Sequence, residues 1–195
     1  VNKLEFSIGE LFCGPGGMAL GAHLAAEAVE AVSISHAWAN DYDESTCETY
    51  IKNIPGASRE SVICEDVRTL NISRLGPIDG FAFGFPCNDF SQVGQKMGTN
   101  GTFGPLYSYG VNVISEYSPK WFVAENVGGL SSSNEGSALL SILRDLASAG
   151  KHGGYVLVPH LYKFENYGLP QARHRILIVG IRKDLQLEFK VPSPD

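Results

Sequence analysis

Short apolar runs alternate with amphipathic stretches along the chain, and the spacing of the apolar positions assigns an element to each. Runs rich in apolar and β-branched residues predict strands at Ser7–Phe12, Ser33–Ala39, Ser61–Glu65, Gly80–Phe85, Trp121–Glu125, Tyr155–Tyr162 and Ile176–Ile181. Helical periodicity follows Gly17 and returns over Glu44–Asn53, where Cys47, Tyr50 and Ile51 share a face. It returns again over Ser137–Ala149, with Leu139, Ile142, Leu143 and Leu146 at i, i+3, i+4 and i+7 and Gly150 as the stop. Strands alternating with helices in this way predict an α/β fold with a doubly wound, mostly parallel sheet. Such sheets bind ligands beyond the carboxyl ends of their strands, so chemistry-bearing residues are sought there.

At 195 residues the chain matches one ordinary domain with a real core, read here as a single catalytic and cofactor-binding domain over 1–195. With 44% hydrophobic and 18% charged residues, and no apolar run near the roughly 18–20 needed to span a bilayer, a membrane protein is not expected. The first residues, Val1-Asn2-Lys3, lack the layout of a signal peptide, and a cytoplasmic protein is the expectation. Cys13, Cys47, Cys64 and Cys87 are widely spaced, which argues against both a zinc site and a disulfide scaffold. Cys13, Cys47 and Cys64 read as buried, inert thiols, Trp38 and Trp121 as core, and the histidines as surface or capping groups rather than metal ligands.

Charge changes the picture. The net charge is −6, and residues 1–143 hold 7 Lys/Arg against 16 Asp/Glu, whereas 144–195 hold 8 against 5. Binding to phosphates normally shows as a basic face. Only the last quarter leans that way.

Three strand ends in order suggest a nucleoside site. After the first strand comes Phe12-Cys13-Gly14-Pro15-Gly16-Gly17, whose glycines permit a tight turn and close approach of a ligand to a helix N-terminus. The second strand ends at Asn40-Asp41, a carboxylate able to accept from both hydroxyls of a ribose, and Tyr42 beside it suits the lid of an adenine pocket. The third ends at Glu65-Asp66-Val67, where Asp66 suits an adenine amino group and Val67 its ring. The loop is not G-x-G-x-x-G and no G-K-[ST] occurs, which favours S-adenosylmethionine over NAD or ATP.

Further along stand Gly84-Phe85-Pro86-Cys87-Asn88-Asp89-Phe90-Ser91, then Glu125-Asn126-Val127, then Gln171-Ala172-Arg173-His174-Arg175. Together with the glycine loop, and in this order over nearly the whole chain, these resemble the signatures of the DNA cytosine-C5 methyltransferase family. That resemblance implies a Rossmann-like methyltransferase fold with S-adenosylmethionine held around Phe12, Gly14, Pro15, Gly17, Asp41, Tyr42, Asp66, Val67, Gly84 and Leu106. S-adenosylhomocysteine would be the product. It implies Cys87 as nucleophile, with Pro86 fixing the backbone, Glu125 holding or delivering a proton at N3 of cytosine, and Arg173 near O2. Ser91, Asn126 and Arg175 would contact the substrate, Arg175 at a phosphate. The residue types suit the chemistry, because a thiolate is both a strong nucleophile toward C6 and a competent leaving group. The target base would be flipped out of duplex DNA, and the Gly-rich segment 92–104 would close over it. Asn88 stands where the family commonly has Gln, and Phe103 where Arg is frequent.

The same resemblance implies a region beyond residue 195 that reads DNA sequence, supplied by the rest of a longer chain or by a second polypeptide. A bacterial restriction-modification enzyme is the expected setting. Two alternatives stay open at this point: a tRNA cytosine-C5 methyltransferase, and a non-catalytic regulatory subunit of the same fold.

Overall fold

The computed structural model describes residues 3–86, 106–128 and 137–194. Chain contacts divide the protein into two compact units, Val1–Gly84 with Pro119–Trp121, and Phe85–Ser118 with Phe122–Asp195. The seven strands form a mixed, mostly parallel sheet, which places the protein in the α/β class.

The first unit carries β1 (Leu4–Leu11), α1 (Gly17–Ala28), β2 (Val32–Asp41), α2 (Glu44–Asn53), β3 (Val62–Cys64) and β4 (Gly80–Gly84). Its strand order is β3-β2-β1-β4, with every pairing parallel. Parallel strands are covered on both faces, and β1 shows it: Ile8, Gly9, Glu10 and Leu11 are all buried. Gly9 is required by close packing, because a Cβ there would lie 2.5 Å from the Trp38 ring on β2. The register between the two strands shifts at that point. Gly80 makes the same room for Trp121, which is half-buried, whereas Trp38 is 2% exposed. At α2 the Asp43 side chain accepts from Thr46 N–H (2.8 Å), which caps the helix and fixes its start. Cys13, Ala19, Ala39, Cys47, Tyr50, Ile54 and Val62 form the core beneath this helix.

The second unit carries α3 (Tyr107–Tyr117), the body of β5 (Trp121–Val127), α4 (Ser137–Ser148), β6 (Tyr155–Lys163) and β7 (His174–Arg182). Its strand order is β5-β7-β6, and β6 and β7 run antiparallel, Tyr155 opposite Arg182 and Lys163 opposite His174. In α4, Ile142 and Leu146 are fully buried, as their spacing predicts. The helix α3 is an element that the apolar periodicity does not announce. Tyr107-Ser-Tyr-Gly-Val-Asn-Val-Ile is poor in strong helix formers, and burial of Gly110, Val113 and Ile114 holds it. It ends at Ser118 in the left-handed region, φ 48°. Among the described residues no helix is long and apolar enough to cross a membrane.

Candidate functional site

Two groups of residues carry chemistry, one in each unit. In the first, the chain leaves β1 through Phe12, a non-glycine residue at φ 53°. The turn then uses Gly14 (φ 55°) and Gly16 (φ 99°) before α1 begins at Gly17. Among the described residues Gly14 and Gly17 face open space, since a Cβ at either would meet nothing within 4 Å. Gly16 faces inward, where a Cβ would lie 2.8 Å from Ile54. The turn is therefore packed behind and open in front, the arrangement that lets backbone N–H groups approach a ligand.

Asp41 ties this turn to the end of β2. Its Oδ2 accepts from Gly14 N–H (2.9 Å), and its Oδ1 accepts from Tyr42 N–H (2.9 Å) and Asp43 N–H (3.2 Å). Three backbone donors thus share a carboxylate expected to serve a ribose. Asn40, buried, secures the same corner: its carbonyl accepts from Cys13 N–H (3.1 Å), and its side-chain amide donates to the carbonyls of Ile63 (2.9 Å) and Glu65 (2.8 Å). Tyr42 is 79% exposed, its ring available to cover a ligand.

At the end of β3, Asp66 is engaged. Arg68 donates to it from its backbone N–H (2.9 Å) and from Nε to both oxygens (2.9 Å each), and forms an ion pair with it through a terminal guanidinium nitrogen. The guanidinium holds the Asp66 carboxyl down at about 2. An adenine amino group would share this carboxylate with Arg68, a residue that strand-end reasoning passes over. Val67 is 5% exposed and packs into the fold, leaving little surface for an adenine ring.

The thiols separate by environment. Burial beside Glu10 and Asp41 pushes the Cys13 thiol far above its ordinary range, and burial pushes Cys47 to about 12. Cys64, the last residue of β3, is exposed, contrary to its expected burial. Cys87 lies outside the described residues, as do Ser91, Asn88, Asp89, Phe103 and the 92–104 segment.

In the second unit, β5 delivers Glu125 and Asn126. Asn126 is 2% exposed; its Nδ2 donates to the Phe85 carbonyl (2.8 Å), and its Oδ1 accepts from Val127 N–H (2.8 Å). A side chain so buried and so engaged holds the backbone entering Pro86 and is not placed for the substrate contact expected of it. Phe85 is buried and Pro86 exposed. Gly84 ends β4 in the first unit, and Leu106 stands at the start of α3 in the second.

Glu125 Oε1 lies 2.7 Å from Arg175 Nε and 3.9 Å from a terminal nitrogen of Arg173. Arg175, expected at a phosphate, is thus the arginine in hydrogen-bond contact with Glu125, while Arg173 stands off and is more exposed. Arg175 lies on β7, and Arg173 in the segment immediately before that strand begins. His174, between them, faces the other way and pairs with Glu165 (2.6 Å).

The family described as C-5 cytosine-specific DNA methylase matches residues 6–195 of this chain. The Type II methyltransferase M.BbvI of Brevibacillus brevis is 59% identical over 199 residues, covering 98% of this chain and 53% of that protein. M.AquIA of Picosynechococcus sp. is 33% identical over 202 residues, covering 97% of this chain and 77% of that protein. The crystal structure of the S. pombe Dnmt2 methyltransferase shares the fold, with a TM-score of 0.65 and 20% identity over 97% of this chain and 52% of that one. The chain therefore spans about half the length of M.BbvI.

Proposed function

Since this chain belongs to the C-5 cytosine-specific DNA methylase family, we propose that it carries the catalytic part of an enzyme that methylates C5 of cytosine in duplex DNA. The observation that carries the reading is the Asn126 clamp. It ties the backbone entering Pro86-Cys87 to the strand that presents Glu125. A nucleophile and the group that handles the base's N3 need a fixed mutual geometry, and this bond links the segments that bear them.

Bound S-adenosylmethionine supplies an electrophilic methyl group on its sulfonium. The first unit suits it: the open faces of Gly14 and Gly17 admit a ligand, Asp41 sets the turn, and Tyr42 offers an exposed ring. Cys87 adds as thiolate to C6 of the flipped base, which makes C5 nucleophilic. After methyl transfer, loss of the C5 proton and β-elimination return the thiolate. Glu125 holds the proton at N3. Arg175, through its contact with Glu125, takes the place at O2 that the sequence assigns to Arg173, and Arg173 is left to a phosphate.

Sequence recognition comes from a polypeptide region outside these residues, whether the remainder of a longer chain or a second subunit. The acidic balance of residues 1–143 supports that dependence, and the bacterial Type II relatives support a cytoplasmic restriction-modification setting. The test is a methylation assay on the complete enzyme, or on this chain with its candidate partner, using duplex DNA and tRNA in separate arms. Cys87→Ser abolishes transfer while cofactor still binds, and 5-fluorocytosine at the target traps the wild type covalently because fluorine does not leave as a proton does. Activity in the Ser variant, an adduct on another cysteine, or transfer to tRNA alone would refute the proposal.

A further inference from the structure

Glu10 is the largest unexplained polar group in the fold. It is 1% exposed on β1, two residues before Phe12. Its Oε2 accepts from the Tyr50 hydroxyl (3.1 Å), and its Oε1 is buried without a hydrogen-bond partner among the described residues. A carboxyl in that state is costly, and a valine or leucine would fill a parallel strand without the expense.

The contacts continue on both sides of Tyr50, itself 1% exposed. Its oxygen lies 3.4 Å from His36 Nδ1, and His36 Nε2 lies 2.9 Å from Ser61 Oγ. Its ring backs the glycine turn, where a Cβ on Gly16 would stand 3.1 Å from Tyr50 Cδ2. A polar chain running from β1 through α2 to β2 therefore fixes the rotation of the ring on which the turn rests.

From this geometry we infer that Glu10 and Tyr50 are positioning residues for cofactor binding, Glu10 orienting the Tyr50 ring that supports the Gly14–Gly17 backbone. The inference rests on the S-adenosylmethionine reading above. Glu10 acts through Tyr50 and not on the ligand.

The charge state of Glu10 provides a signature. Burial lifts its carboxyl to about 8, the Tyr50 hydrogen bond pulling down and Asp41 pushing further up. The groups that face it are Tyr50 from α2, Asp41 at the end of β2 and Cys13 in the turn; His36 of β2 faces Tyr50, with His23 of α1 acting on it. At neutral pH Glu10 carries its proton. Above about 8 it ionises in a buried place beside Asp41, and the support of the turn loosens.

The experiment is calorimetric titration of the full-length protein with S-adenosylhomocysteine from pH 6.5 to 9.5, for wild type, Glu10→Gln and Tyr50→Phe. Gln keeps an acceptor for the Tyr50 hydroxyl and cannot ionise. The expected result is Glu10→Gln within twofold of wild type at pH 7, and at least threefold tighter than wild type at pH 9.5. Tyr50→Phe, which keeps the ring and frees its rotation, loses about fivefold at pH 7. The ligand's own amino group also titrates toward the top of this pH range but does so equally against every protein, so the difference between proteins is the reading. Parallel pH profiles for Glu10→Gln and wild type overturn the inference, as does wild-type affinity in Tyr50→Phe. If Tyr50→Phe does not fold, the Glu10→Gln profile decides alone. No binding by wild type at any pH sinks the cofactor reading itself, an outcome distinct from binding without these differences.

Discussion

Replacing Asp41 by Asn leaves one carbonyl oxygen where two carboxylate oxygens now work. Oδ2 serves Gly14 N–H, and Oδ1 serves Tyr42 and Asp43 N–H. The single oxygen of Asn can face one side only, and its NH₂ then meets a backbone N–H donor against donor. Hydrogen bonds to a charged group contribute about 1.5–3 kcal/mol each, so at least one such loss falls on the turn. If turn geometry limits cofactor affinity, that loss weakens binding about ten- to hundredfold, at roughly 1.4 kcal/mol per decade. Asp41→Ala, which leaves all three donors to water, weakens it further. The assay is calorimetry with S-adenosylhomocysteine on the complete protein, paired with thermal unfolding to separate binding from folding. A carboxylate acting only on ribose hydroxyls would respond differently, because Asn still accepts one hydroxyl. Affinity within threefold of wild type in the Asn variant, with a large loss in the Ala variant, would refute the turn-setting argument.

Two further substitutions follow from the same corner and from the β5 clamp. Gly16→Ala places a methyl 2.8 Å from Ile54 in a backbone at φ 99°. It destabilises the fold by about 2–4 kcal/mol in urea titration, whereas Gly17→Ala, facing open space, leaves the midpoint nearly unchanged. Asn126→Ala frees the Phe85 carbonyl and Val127 N–H; kcat falls at least tenfold while S-adenosylhomocysteine affinity stays within twofold, and an unchanged kcat would dismiss the clamp.

Local pattern placed most elements. The limits of α2 coincide with the predicted Glu44–Asn53, and every predicted strand is present, because apolar runs in an α/β sheet are buried on both faces. The helix α3 escaped because its stability is tertiary: tyrosines, valines and a glycine make no helical signal until Val113 and Ile114 are buried. Trp121 is half-buried over Gly80, and the sequence does not say how far a large ring will be covered. Side-chain roles were harder to read than positions. Which of Arg173 and Arg175 meets Glu125 depends on reach, since Arg175 lies on β7 and Arg173 just before it. Asn126 looks like a substrate ligand until its burial and its bond to Phe85 are known. Arg68 claims Asp66 from two residues away, a contact made by local chain folding that strand-end spacing does not encode. The signal for Glu10 was present, as the one acid within the predicted strand Ser7–Phe12.

Phe12 sits at φ 53°, where L-residues other than glycine, asparagine and aspartate pay a steric penalty of about 1–2 kcal/mol. The strain belongs to the one residue joining β1 to the glycine turn. A library screened only for heat resistance would therefore drift toward glycine or asparagine at this position. If Phe12 serves the cofactor, as the family resemblance implies, one screened for turnover would hold the phenyl ring. The two kinds of selection part company at a single codon, and a thermostabilised relative of this protein should be checked there first.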